Sequence, residues 1–292
     1  MKKLYIHIGH YKTGTSAIQK YCSDNADDLA KSGYFYPPVS RPNNSPTNHG
    51  DLSLTLAARH GFTPPPWYSD KKDIGETYRI FFESVQTAEQ NSILISSEEF
   101  FQLALRENGQ AAIQELNALL SAFDVTIVFY IREPMALLKS WYNEVNKAVY
   151  GTRNFVVFFR TLSTLFLSQF AVYKKFADVF GAESVVVRSY QHHGAEHIQD
   201  FLSAIGCDHT PTKESKKRIQ IAQDIHILEL ARLSKKRNHT HEESTLSEFQ
   251  SLESLKKKIS KINMNFAKLS ALSNSPIESE LNLLNLFSHL EV

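Results

Sequence analysis

An α/β fold, with a central parallel sheet flanked by helices and an extra helical C-terminal part, is predicted by three observations. Short apolar strands alternate with longer helical stretches, a glycine-bounded turn joins the first strand to the first helix, and no linker interrupts the chain. All 292 residues are therefore read as one domain, with a core over 1–206 and a helical extension over 207–292. An apolar share of 42%, with 19 Phe and 12 Tyr, is ample for a buried core. Lys+Arg 32 against Asp+Glu 31 leaves a net charge of +1, so nothing suggests a general nucleic-acid binder, and positive charge matters only locally. No stretch is apolar for long enough to span a bilayer, and the opening Met1-Lys2-Lys3 runs straight into a strand. The expectation is a cytoplasmic protein without an integral membrane segment. Cys22 and Cys207 offer neither a disulfide framework nor a metal pattern, and Cys22 reads as a small buried helix residue.

Each element has its own signal. A strand over 4–8 leads into the glycine loop and a helix reaching about 31, which Gly33 stops; Tyr34-Phe35-Tyr36 before Pro37-Pro38 reads as a short strand. Residues 37–73 carry most of the prolines around a helix near 51–59, and an irregular insertion of this length is the natural acceptor-binding wall. Helices are predicted near 74–89, 109–123 and 134–148, strands over 93–95, 125–131 and 184–190, and a helix over 196–205, with aromatic-rich helical stretches across 155–180. The tail reads as polar helices over 215–235, 247–269 and 278–290. Its basic runs, Lys235-Lys236-Arg237 and Lys256-Lys257-Lys258, read as solvated helix faces.

The chemistry concentrates where strands end. Gly9-His10-Tyr11-Lys12-Thr13-Gly14-Thr15-Ser16 keeps the glycine spacing of a Walker A loop, with Ser16 in the Ser/Thr position. Backbone N–H groups and a helix N-terminus there suit a phosphate-like anion. The lysine is displaced: Thr15 follows the second glycine, and Lys12 lies inside the loop. The strand over 125–131 then ends in Arg132-Glu133-Pro134, with no Asp to help hold magnesium. An arginine fork suits a phosphate and repels a metal ion. Both departures point to an anionic nucleotide bound without a metal. Read separately, the loop could be a tight connection and Arg-Glu-Pro only a helix start.

Taken together, the two segments resemble the P-loop sulfotransferases, which use 3′-phosphoadenosine 5′-phosphosulfate (PAPS). That family has a K-x-G-T-[ST] loop, here Lys12-Thr13-Gly14-Thr15-Ser16, and a strand ending in Arg before a helix that carries a Ser, here Arg132 and Ser140. The resemblance covers roughly 4–206 and implies a P-loop NTPase-like fold. It also implies that Gly9, His10, Tyr11, Thr13, Gly14, Thr15 and Ser16 surround the 5′ end of the donor. Lys12 would neutralise the bridging oxygen, and Arg132 with Ser140 would clamp the 3′-phosphate. Tyr190 would lie near the adenine, although Gln191 replaces the family's acidic neighbour. The family's C-terminal R-K-G signature is absent, leaving only Lys216 and Arg218 as remote analogues. Carbohydrate sulfotransferases place a glutamate base after the strand matching 93–95, which offers Glu98 or Glu99; the same pair could instead open a helix capped by Ser97. His49, in Thr47-Asn48-His49-Gly50, is the competing base. The implied acceptor is a hydroxyl, or less directly an amine, of a carbohydrate or glycoconjugate, with Trp67 and Tyr68 available to stack on sugar rings. The alternatives are an atypical P-loop nucleotide kinase and a non-catalytic anion-binding protein.

Overall fold

The computed structural model describes residues 1–65, 68, 72–147, 154–190, 194–209 and 252–287. They group into two compact units. One draws on Met1–Ile131, Ala171–Ile219 and Ser273–Ser275, the other on Arg132–Phe170, Gln220–Leu272 and Pro276–Val292.

The first unit is built on five strands: β1 (Lys2–Gly9), β2 (Tyr34–Phe35), β3 (Ser92–Ser96), β4 (Phe123–Ile131) and β5 (Val185–Ser189). Their order is β2-β3-β1-β4-β5 and every pairing is parallel, as the βα alternation predicts. Central parallel strands are covered on both faces, which is why they read as apolar runs rather than alternating ones. In β1, Leu4, Ile6 and Ile8 are fully buried and so is His7 between them. From β1 the chain turns toward β2 and β3, and from β4 toward β5. The switch point therefore lies between the carboxyl ends of β1 and β4, where such sheets bind ligands.

Helices α1 (Thr15–Asp24), α2 (Ala26–Lys31), α3 (Gly50–Arg59), α4 (Ile74–Thr87), α5 (Glu99–Leu105) and α6 (Gly109–Leu119) follow in order. The chain continues through α7 (Pro134–Lys147), α8 (Phe155–Thr161), α9 (Thr164–Leu167), α10 (Gln169–Phe180) and α11 (Gly194–Ala204), then α12 (Leu252–Ser270) and α13 (Leu283–Phe287). On one face of the sheet, Ile18, Tyr21 and Cys22 of α1 and Ile198, Phe201 and Leu202 of α11 share a core with Leu94, Val128 and Tyr130. On the other, Phe101 of α5 stacks on Phe129 at 5.8 Å. Each fully buried side chain of this size stabilises the unit by roughly 1.5–3 kcal/mol.

Some boundaries differ from the sequence reading. The helix expected to reach 31 is two helices, broken at Asn25, whose backbone leaves the helical region (φ −114°, ψ 26°) while its side-chain amide donates to the Tyr21 carbonyl at 2.8 Å. The helix expected over 109–123 ends at Leu119, since Phe123 already belongs to β4 and packs on Phe82 at 6.2 Å. The second unit is helical around Met135, Leu138 and Tyr142 of α7, Phe155 and Phe159 of α8, and Leu255, Ile259 and Ile262 of α12. Lys256 and Lys257 are exposed on α12, but Lys258 turns inward to donate to the carbonyls of Phe159 (2.7 Å) and Leu162 (2.7 Å). The helix expected over 215–235, the basic residues 213–218 and 235–237, Gln191 and Trp67 lie outside the described residues. Among the described residues, no helix is long and apolar enough to cross a membrane.

Candidate functional site

Strand β1 delivers the chain at Gly9 into a loop braced from within. The Thr13 hydroxyl donates to the His10 carbonyl at 2.7 Å, and the Thr13 N–H donates to the same oxygen at 3.2 Å. A Cβ on Gly9 would sit 2.4 Å from Thr13 Oγ1, so only glycine fits there. Lys12 adopts a left-handed backbone, φ 69°, which costs a non-glycine residue about 1–2 kcal/mol. Strain of that kind is held at sites where the surrounding structure demands it. Gly14, φ 79°, then starts α1 with no side chain capping the first turn and no acid within it. The first amides of α1 and the positive end of its dipole are thus left for an anion. Lys12 and Tyr11 are half-buried and Ser16 is exposed, whereas His10, Thr13 and Thr15 are buried, His10 against the Phe101 ring at 4.5 Å. The backbone amides, Lys12 and Ser16 are therefore the groups suited to an anion, whereas His10 and Thr13 shape the loop.

Two glutamates follow β3, and packing separates their roles. Glu98 is half-buried, and its Oε2 accepts from Gln19 Nε2 of α1 (2.8 Å) and from Asn48 Nδ2 of the proline-rich insertion (3.1 Å). Glu99 is only 3% exposed, takes the Tyr11 hydroxyl on Oε1 at 2.8 Å, and faces Arg106 Nη2 with Oε2 at 3.4 Å. Burial first, then the neighbouring Glu98, pushes the Glu99 pKa up to about 7. Ser97 Oγ accepts the Glu99 N–H at 3.1 Å, so the serine does serve the start of α5. Glu99 thus reaches the cradle through Tyr11, and Glu98 ties α1 to the insertion.

His49 is drawn out of contention as a base. It is fully buried, its Nε2–H donates to the Pro37 carbonyl at 2.9 Å, and its Nδ1 accepts the Ser96 N–H at 3.2 Å. The partners fix the tautomer, because a carbonyl only accepts and an amide only donates. Burial and the nearby Arg41 hold the pKa down to about 3. With its own N–H on the Ser96 carbonyl (2.9 Å), His49 clasps the insertion to the end of β3. Tyr68, expected to stack on a sugar, is half-buried and donates its hydroxyl to Asp51 Oδ1 at 3.0 Å.

At the end of β5, Tyr190 donates its N–H to the Ile131 carbonyl at 2.8 Å and lies edge-on to His197 of α11 at 5.0 Å. A Cβ on Gly14 would meet His197 Nε2 at 2.5 Å and Tyr190 Cε2 at 2.7 Å, so both rings abut the cradle. Below them Tyr130 donates to Asp200 Oδ2 at 2.6 Å, and Asp200 also pairs with Arg188.

Arg132 and Ser140 belong to the second unit, where both are half-buried. The Arg132 backbone is clamped by Gln169, whose Oε1 accepts the Arg132 N–H at 2.9 Å and whose Nε2 donates to its carbonyl at 2.7 Å. Glu133 closes the N-terminus of α7: its carboxylate takes the amides of Met135 (2.8 Å), Ala136 (2.6 Å) and Glu280 (2.9 Å). Asn48, Gln19, Gln169 and His197 carry no motif that the sequence reading singled out; of these only Asn48, beside the singled-out His49, had a local signal.

No protein-family model matches the chain, and no curated protein sequence matches it. Among solved structures it is similar to the crystal structure of a sulfotransferase from Alicyclobacillus acidocaldarius, with a TM-score of 0.51 and 15% identity, over 95% of this chain and 98% of that one. A second similar structure is the sulfotransferase domain from the curacin biosynthetic pathway, with a TM-score of 0.42 and 8% identity, over 90% of this chain and 98% of that one. At 15% identity the first likeness establishes the fold: a five-stranded parallel sheet flanked by helices, as in that sulfotransferase.

Proposed function

We propose that the chain is a sulfotransferase that moves a sulfonate from PAPS to a hydroxyl of a carbohydrate or glycoconjugate. The observation that carries the reading is the cradle: a glycine-spaced loop holding Lys12 in a strained backbone before an uncapped α1. Its likeness of fold to a sulfotransferase supports it. The donor supplies a sulfonate on a phosphate leaving group. Lys12 and the amides at the start of α1 stabilise the charge that grows on the bridging oxygen as the S–O bond breaks. Glu98 takes the acceptor's proton as its oxygen bonds to sulfur, held in place by Gln19 and Asn48. Arg132 and Ser140 recognise the 3′-phosphate, which separates this donor from ATP.

Glu98 is preferred to Glu99 because both Glu99 oxygens already face Tyr11 and Arg106. The carbohydrate preference rests on the motif resemblance alone. Calorimetric titration with 3′-phosphoadenosine 5′-phosphate (PAP) and with ATP–magnesium tests the class. PAP is expected to bind more tightly, and Lys12→Ala to weaken it; preference for ATP–magnesium would make the chain a nucleotide kinase instead. A screen of sugar hydroxyls and amines with sulfur-labelled donor identifies the acceptor.

A further inference from the structure

One buried group behind the cradle has no role in the scheme above. His197, on the first turn of α11, is 1% exposed, yet neither ring nitrogen has a hydrogen-bond partner among the described residues. A buried polar group left without a partner is costly, and such groups in native structures call for an explanation. Its surroundings are defined on every side. Tyr130 of β4 lies edge-on at 4.6 Å and Tyr190 at 5.0 Å. His7 of β1, also buried, is near enough to act on it electrostatically, but spends Nδ1 on Ser96 Oγ at 2.7 Å. Asp200, one turn on along α11, is already taken by Tyr130, Arg188 and Asn274.

What the imidazole does face is the loop. Its Nε2 occupies the space a Gly14 side chain would need, 2.5 Å from that Cβ position, so it lies against the cap residue of α1. The Thr13 backbone acts on the ring as a hydrogen-bond acceptor that opposes the effect of burial, although neither nitrogen reaches full hydrogen-bond geometry. Thr13 C=O and Gly14 N–H are the two ends of one peptide. Holding the carbonyl from behind aims the amide forward, and a polarised peptide donates more strongly.

Resting on the sulfotransferase reading for the identity of the anion, we propose that His197 is a positioning residue of the cradle: when an anion loads the loop, its ring N–H closes onto the Thr13 carbonyl and fixes the Gly14 N–H toward that anion. His197 touches no reacting atom and acts only through the peptide.

The test is calorimetric titration of the full chain with inorganic pyrophosphate and with PAP, in wild type, His197→Phe and His197→Gln, each also melted without ligand. Phe keeps a ring against Gly14 and Gln keeps a donor. His197→Phe is expected to weaken both anions about tenfold without lowering the melting temperature, as loss of one hydrogen bond implies, and His197→Gln to restore most of the affinity. Wild-type affinity in His197→Phe overturns the proposal, leaving His197 a wedge. Binding of pyrophosphate but not PAP removes the sulfotransferase reading, while the comparison on pyrophosphate still decides the role of His197. Binding of neither anion overturns both. Should His197→Phe not fold, nitrogen-15 NMR of the wild-type imidazole decides. A slowly exchanging ring N–H signal appearing on pyrophosphate addition supports the proposal, and an unchanged spectrum overturns it.

Discussion

Two helices of this protein start directly after a sheet strand with a basic residue at the junction, and they are closed in opposite ways. Helix α1 follows β1 and Lys12, with Gly14 at its cap, no capping side chain and no acid in its first turn. Helix α7 follows β4 and Arg132, and its first amides are occupied by the chain's own Glu133 carboxylate. The anion-binding capacity of a helix N-terminus is therefore left open at α1 and already filled at α7. The α7 dipole is accordingly not left for a phosphate at Arg132. A single principle of helix ends thus gives the two junctions different work.

Breaking the open end should have the largest effects. With the acceptor found by the labelled-donor screen, Glu98→Gln is expected to lower kcat by about 10²–10⁴-fold with PAP affinity unchanged. Equal loss of PAP affinity would mean that Glu98 builds the donor site rather than acting as a base. Gly14→Ala places a methyl group 2.5 Å from His197 Nε2 in a left-handed backbone, and pyrophosphate binding should fall by about a hundredfold. The closed end should respond differently to its two residues. Arg132→Ala is expected to weaken PAP by about ten- to a hundredfold while pyrophosphate is bound as before, since a hydrogen bond from a guanidinium is worth roughly 1.5–3 kcal/mol. Glu133→Ala should leave pyrophosphate affinity alone and cost about 1–2 kcal/mol in denaturant unfolding, the usual loss for a helix cap.

The smallest effect near neutrality comes from the buried histidines around the open end. Burial holds His7 and His49 down to about 3 and His197 to about 4, below the ordinary 6.5. Between 6.5 and those values the unfolded chain binds protons that the folded one does not, so stability falls as pH falls. The slope reaches about 1.4 kcal/mol per pH unit for each histidine. Melting followed from pH 7 to pH 5 should show this decline, and His49→Gln should make it shallower. A melting temperature flat over that range would mean the imidazoles are not buried as neutral groups.

What could be read in the sequence was what is local. The cradle spans contiguous residues, and strand, loop and helix each leave a signal within a few positions. The alternation of strands and helices likewise gave the parallel sheet in advance. Glu98 and Glu99 are neighbours at the start of a helix, and only Tyr11, Arg106, Gln19 and Asn48 arriving from elsewhere tell them apart. His49 reads as a competing base because it lies in the proline-rich insertion expected to wall the acceptor. Its burial beneath the Tyr36 ring, 4.6 Å away and edge-on, and its bonds to the Pro37 carbonyl and Ser96 amide exist only in three dimensions. His197 had no sequence signal at all, being one polar residue on an otherwise ordinary amphipathic helix.

A crystal structure of the chain with PAP examines the cradle most directly. The 5′-phosphate is expected within hydrogen-bonding distance, about 2.7–3.2 Å, of the Thr15 and Ser16 amides, with the Lys12 ammonium beside it. A nucleotide bound with its 5′-phosphate away from this loop would contradict the assignment of the β1–α1 junction as the donor site.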